Sequence, residues 1–205
     1  MGTDNRSLAI KLNMAKAYDK VEWPFLMAML KALGFCDLFC SLVFECISTV
    51  SYSILLNGEA AGHIIHTHGL WQGDPLSPFL FLICVEGLST LICYNEERHS
   101  MNGFQFHPSG MRITHLFFAD DSVLFCKAEE QEVRNMKSIL DCYERGSGQA
   151  INYDKSSIFF SHNCPMRTRR QVVDILKVQQ KDGFGRYLGL TADFGASKRA
   201  VFDEV

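Results

Sequence analysis

Two adjacent acids, Asp120 and Asp121, stand between two apolar runs, Leu116-Phe117-Phe118 and Val123-Leu124-Phe125. Apolar segments on both sides of a short polar turn predict a β-hairpin. Two carboxylates at its tip repel each other unless something neutralises them. A hard divalent cation such as Mg²⁺, which prefers carboxylate oxygens, is the natural partner. Asp120 and Asp121 are therefore candidate metal ligands, and acids holding metal on a hairpin tip are what nucleotidyl transfer needs. Two solvated turn aspartates would look the same over four residues, so the rest of the chain has to decide.

The chain has 205 residues, enough for one domain or one domain and a fragment. A hydrophobic share of 47%, with 16 Phe, supplies a real core and argues against disorder. The net charge of −3 excludes a simple basic nucleic-acid binder. From Arg145 onward, however, ten Lys/Arg face six Asp/Glu, with a cluster at Arg167, Arg169 and Arg170. That cluster fits a solvated helix face as well as a phosphate contact. The eight cysteines include no CxxC pair and read as reduced core residues of an intracellular protein. His66 and His68 share one side of an extended segment but lack a third ligand. The N-terminus shows no signal peptide and no myristoylation pattern. The longest apolar stretch, Phe79 to Val85, is too short for a bilayer and ends at Glu86, so the expectation is a soluble protein without a membrane span.

Leu8 to Asn13 alternates with period two, placing Leu8, Ile10 and Leu12 on one face and Ala9, Lys11 and Asn13 on the other. Asp19-Lys20-Val21-Glu22 predicts a capping box before a helix carrying Trp23, Leu26, Met27 and Leu30, closed at Gly34. A second helix is expected over 37–47, then a hairpin with Asn57-Gly58 at its turn and strands over 50–56 and 63–67. A long helix is expected over 74–98 with Pro75 at its start. After the acid-tipped hairpin come a helix over 129–143, a strand over 157–161, a helix over 167–178 and a strand over 186–190. This order predicts an α+β plan, with helices on one face of a small antiparallel sheet.

Four segments in this order, Lys11 to Trp23, Gly69 to Pro78, Phe118 to Asp121 and Ser147 to Ser156, together resemble the reverse transcriptases of plant-type non-LTR (LINE) retrotransposons. Tyr187-Leu188-Gly189-Leu190 is similar to the piece that joins palm to thumb in that family. The resemblance implies a palm over residues 1–163, an RRM-like antiparallel sheet backed by helices. Residues 164–205 would begin the connection to a thumb, with fingers and thumb absent. It implies RNA-directed DNA polymerase activity on an RNA template and DNA primer, with dNTPs and two Mg²⁺ ions. Asp120 and Asp121 take the hairpin metal positions. Tyr18 matches the aromatic beneath the incoming sugar. Gln72 and Gly73 match the nucleotide-side loop, where a glycine lets backbone approach and a helix start favours phosphate. Lys155 matches the lysine near the triphosphate, a proton donor to the leaving group.

The first-strand metal ligand of that family is Asp, and here the position is Asn13. An amide oxygen can coordinate a metal, but it is neutral and cannot bridge two cations. One lost charge corresponds to ~3–6 kcal/mol, roughly a hundredfold to ten-thousandfold in rate. Asp19 and Asp74 are expected to be occupied as helix-start residues and so to offer no substitute. His68 and Trp71 stand where the family commonly carries Arg, which removes positive charge from the expected nucleotide path. The resemblance therefore implies a polymerase domain that is impaired. Two other readings account for fewer residues: a non-catalytic nucleic-acid-binding or interaction module on the same fold, and an unrelated metal-dependent phosphohydrolase.

Overall fold

A computed structural model describes residues 6–105, 110–119, 121–181, 183, 186–187 and 190–191. In chain order the elements are β1 (Ser7–Ala15), α1 (Trp23–Ala32), α2 (Asp37–Ser48), β2 (Ser51–Leu56), β3 (Glu59–Ile65), α3 (Ser77–Glu97), β4 (Phe104–Gln105), β5 (Arg112–Ile113), β6 (His115–Phe118), β7 (Asp121–Lys127), α4 (Glu130–Ser147), β8 (Ala150–Ile151), β9 (Ser157–Phe160), α5 (Met166–Leu176), β10 (Gln179–Gln180), β11 (Arg186–Tyr187) and β12 (Leu190–Thr191). The α+β plan read from the sequence is the plan observed.

The chain divides into two compact units. The first takes Met1–Met14, Ile92–Ile139 and Ile151–Val205, and is built on a six-stranded sheet in the order β10-β9-β1-β7-β6, with β8 also pairing to β1. β1 is antiparallel to both β7 and β9, whereas β10 runs parallel to β9, a departure from an all-antiparallel sheet. The alternation of β1 is realised: Leu8, Ile10 and Leu12 are buried, Ala9 and Lys11 are half-buried and Asn13 is exposed. A period-two strand buries one face in this way. Leu124 and Cys126 of β7, Ile158 of β9, and Val133 and Met136 of α4 complete this core.

The second unit takes Ala15–Leu91 and Leu140–Ala150. Leu26, Leu30, Phe81, Cys84, Leu88 and Tyr143 form its interior. Helix α3 approaches α1 closely at Gly87, where an added Cβ would lie 2.9 Å from the Phe25 ring. The β2–β3 hairpin turns at Asn57 and Gly58, both with positive φ (52° and 88°), as a right-twisted two-residue turn requires.

Several expectations change. The strand opposite β2 is the longer segment Glu59–Ile65, because pairing starts at the turn itself. Helix α3 starts at Ser77 rather than Asp74. The Asp74 Oδ1 accepts the Leu76 N–H at 2.9 Å, so residues 74–76 form a side-chain-closed turn ahead of the helix. The expected capping box is also absent. Helix α1 has Glu22 at its N-cap with no side-chain cap bond, and the Glu22 N–H instead donates to the Ser147 carbonyl at 2.8 Å. A tertiary bond replaces the local one. Finally, α3 does not end at the exposed Glu86 but continues through it to Glu97, 21 residues in all, so by length and composition it could cross a membrane. Phe81, Cys84, Leu88 and Ile92 along it are buried within the protein.

Candidate active site

Asn13, near the end of β1, is the direct antiparallel partner of Asp121, the first residue of β7. Asp121 in turn pairs with Phe118, the last residue of β6. Directly opposed residues have Cα atoms about 4.5–5.5 Å apart and side chains on one face. The face carrying Asn13, Asp121 and Phe118 is the less buried one, and Phe118 is 61% exposed. Ala119, in the turn between the strands, has φ 50°, a left-handed conformation that costs an alanine about 1–2 kcal/mol. Asp120, the other acid of the hairpin, lies outside the described residues.

The turn that carries Lys155 is fastened to the same strand end. The Asn152 N–H donates to the Asn13 carbonyl at 2.8 Å, and the Asn13 N–H donates to the Ser156 hydroxyl at 3.1 Å. Asn152 also accepts the Lys155 N–H on its side chain at 3.1 Å, so this asparagine shapes the turn and docks it. Lys155 itself is exposed. The fold thus brings Asn13, Asp121 and the Lys155 turn together in one unit.

One carboxylate and one amide oxygen on a shared face suit a single hard cation completed by water. The Asn13 amide oxygen is neutral, so it adds no bridging carboxylate to the one Asp121 supplies. Among the described residues no group of three or more His, Cys, Asp and Glu could hold a metal. Of the two acids expected to be occupied at helix starts, Asp74 is engaged just ahead of its helix and Asp19 is not a cap. Asp74 closes the turn before α3, and Asp19 is an exposed residue on the wall of a cavity in the second unit.

Tyr18, Gln72 and Gly73 belong to that second unit. The Tyr18 ring stacks on Phe81, with centroids 4.6 Å apart and planes at 21°. The Tyr18 carbonyl accepts the Leu70 N–H at 2.9 Å, and the Val21 carbonyl accepts the Gly69 N–H at 2.7 Å. The loop around Tyr18 is thereby tied to the segment that carries Gln72 and Gly73. Gln72 is exposed, and Gly73 adopts φ 107°. From the other side the buried Gln149 donates its side-chain amide to the Ala17 carbonyl at 2.8 Å, and its own oxygen accepts the Tyr143 hydroxyl in a short hydrogen bond. Burial pushes the Tyr143 hydroxyl pKa well up, with the neighbouring Cys84 adding to it, so Tyr143 remains a donor.

Sequence reasoning gave no role to Gln149, which it named only within the segment Ser147 to Ser156, and did not find Glu132. Glu132 is a buried carboxylate that accepts the Asn102 N–H at 2.8 Å, the Asn102 side-chain amide at 3.1 Å and the Lys127 N–H at 3.2 Å. Both sit on or next to α4, where a polar residue ordinarily means solvent, and no local signal marks a buried one. The basic cluster is partly spent. Arg169 donates to the Cys164 and Ser161 carbonyls and lies over the Phe160 ring, while Arg167 and Arg170 are exposed.

The chain matches the family model described as reverse transcriptase (RNA-dependent DNA polymerase) over residues 2–192. It is 27% identical, over 95% of its length, to the retrovirus-related Pol polyprotein from type-1 retrotransposable element R2 of Popillia japonica, and covers 32% of that protein. It is 24% identical, over 72% of its length, to the transposon TX1 uncharacterized 149 kDa protein of Xenopus laevis, covering 11% of it. The chain therefore spans at most about a third of these relatives. Among solved structures it is similar to telomerase from Candida tropicalis in complex with a fragment of telomeric RNA, with TM-score 0.60 and 12% identity over 77% of this chain and 26% of that one, a likeness of fold. With a family match across nearly the whole sequence and a palm-like sheet that carries the hairpin acid, the chain belongs to the reverse transcriptase (RNA-dependent DNA polymerase) family, and the relatives it resembles include proteins of retrotransposable elements.

Proposed function

We propose that this chain is the palm of an RNA-directed DNA polymerase whose metal site is weakened at one position. The observation that carries the reading is the direct pairing of Asn13 with Asp121 across β1 and β7. In this reading Asp120 and Asp121 hold Mg²⁺, and Asn13 stands in a ligand position without the charge to bridge two ions. Bound Mg²⁺ would supply charge neutralisation at the reacting phosphate. Lys155 donates a proton to the leaving group, its turn being anchored on Asn13. Tyr18 meets the sugar of the incoming dNTP, and Gln72 and Gly73 line its approach. An RNA template and a DNA primer are the macromolecular partners, and the site of action is inside the cell. The palm assignment of residues 1–163 is supported by the six-stranded sheet, whose strands other than β10 all lie in that range.

Primer extension on poly(rA)/oligo(dT) with Mg²⁺ or Mn²⁺ tests this, comparing the native chain with Asn13→Asp. The expected result is no extension by the native chain and measurable extension by the variant. Robust synthesis by the native chain would remove the claim that Asn13 disables the site, and extension that survives Asp121→Ala would remove the metal assignment.

A further inference from the structure

We propose that the cavity beside Tyr52 and Trp71 is a subsite for one unpaired nucleobase that presents adjacent N–H donors, with guanine the best match. The cavity lies wholly in the second unit and has a volume of about 190 Å³. Its lining includes Asp19, Tyr52, His66, His68, Trp71 and Asp74. It is smaller than sites for drug-sized molecules, which begin near ~300 Å³, and on the scale of a single ring system.

Three aromatic side chains shape it. Tyr52 and Trp71 stack with centroids 4.0 Å apart and planes at 19°. His66 stands steeply tilted to both, at 5.3 Å and 6.2 Å. Trp71 is 49% exposed even so, which leaves a large π surface open to a ligand. Aromatic faces of this kind receive bases by stacking, whichever base it is.

The acids decide which base. Asp19 and Asp74 are acceptors only, so they disfavour a phosphate and favour a ligand edge rich in donors. Asp74 is held in place because its Oδ1 accepts the Leu76 N–H. The Watson–Crick edge of guanine carries a ring N–H next to an exocyclic amine, two donors that one carboxylate accepts together. Uracil offers one N–H between two carbonyls, which a carboxylate repels. Tyr52 adds a hydroxyl that stays protonated, because burial and then the nearby Asp74 raise its pKa.

This inference adds a base preference at residues His68 and Trp71, which the polymerase reading sets along the nucleotide path, and does not use its metal site. The test is therefore run without metal, primer or template, so either reading can fail alone. The chain contains two tryptophans, and Trp23 is buried, so Trp71 is the residue whose fluorescence an entering base would quench. Titration with guanosine should give saturable quenching. Inosine, which lacks the exocyclic amine, and uridine should each need about tenfold or more higher concentration. Asp74→Asn keeps an acceptor for Leu76 and should erase the preference for guanosine over inosine. Trp71→Ala, followed by equilibrium dialysis of labelled guanosine, should lose about tenfold in affinity. Equal binding of uridine and guanosine would overturn the proposal. So would saturation by tetramethylammonium without any by guanosine, which would make the cavity an organic-cation site.

Discussion

The side chains of Asn13 and Asp121 share the open face of the sheet as direct cross-strand partners, and the backbone of Asn13 is clasped by the turn that carries Lys155. The main chain at this position is held by hydrogen bonds that any residue could make, so the identity of residue 13 affects the face and not the fold.

Asn13→Asp should accordingly fold and gain metal affinity. Without metal it places a second carboxylate opposite Asp121, and opposed like charges destabilise a sheet by up to about 1 kcal/mol. With Mg²⁺ at a hundredfold over its dissociation constant the variant should gain about 2.7 kcal/mol. For a chain of this size that is roughly 5–10 °C in Tm. The native chain should gain much less. Thermal denaturation with and without Mg²⁺ reads this directly, and equal Mg²⁺ shifts in both proteins would show that residue 13 does not face the ion.

The loop around Tyr18 should be intolerant of side chains at two glycines. A Cβ on Gly69 would lie 2.5 Å from the Asp19 carbonyl oxygen, and one on Gly148 would lie 2.6 Å from the Lys20 carbonyl oxygen. Both also have positive φ. Backbone cannot swing aside as a side chain can, so Gly69→Ala and Gly148→Ala should each cost about 2–4 kcal/mol. Gly58→Ala is the internal comparison, because its φ is 88° but nothing lies within 4 Å of its Cβ. It should cost only about 1 kcal/mol. Urea titration of the three variants ranks them, and equal costs would mean that backbone strain alone sets the penalty.

Much of this architecture was legible because the signals are periodic or local. The alternation Leu8, Ile10, Leu12 is the buried face of β1, and Asn57-Gly58 is the turn between β2 and β3. The β6–β7 hairpin falls where the two apolar runs put it. What failed was what a distant segment decides. Asp19 and Glu22 spell a capping box, yet the Glu22 N–H goes to Ser147, 125 residues away. Tyr52 meets Trp71, beyond the end of the β2–β3 hairpin, in a contact that the Asn57-Gly58 turn signal does not specify. Glu132 reads as a solvated helix residue because burial of an acid depends on three N–H groups from two other places in the chain.

Glu132 offers a clean test of such a buried acceptor. Its Oε1 accepts two backbone N–H groups, from Asn102 and Lys127, and its Oε2 accepts the Asn102 side chain. Glu132→Gln replaces one acceptor by an NH₂ donor, so at least one of these N–H groups loses its partner inside the protein. The expected cost is about 1–3 kcal/mol. Asn102→Ala combined with Glu132→Gln should cost less than the sum of the two single changes, because the variants share a bond. A double-mutant cycle from chemical denaturation measures this, and strict additivity would mean that the two side chains do not interact.

The cysteines give the last prediction, and its pH dependence follows from burial. Cys40, Cys84, Cys126 and Cys164 are buried, whereas Cys36, Cys46, Cys93 and Cys142 are exposed. Burial pushes Cys84 up from its ordinary 9.0 to about 12. Cys126 is also raised well above its ordinary value, by burial first and then by Glu132. At pH 8 a thiol reagent should modify the four exposed cysteines and reach the buried four only when urea unfolds the chain. Above pH 9 the unfolded chain releases thiol protons that the folded chain retains. The unfolded state then binds fewer protons, and stability falls as pH rises. For Cys84 the loss runs from about pH 9 to about 12 at ~1.4 kcal/mol per pH unit. Cys84→Ala should flatten that decline at the expense of a small cavity. Urea midpoints between pH 8 and 10.5 test the slope, and an identical decline in the native chain and Cys84→Ala would show that this thiol does not contribute to it.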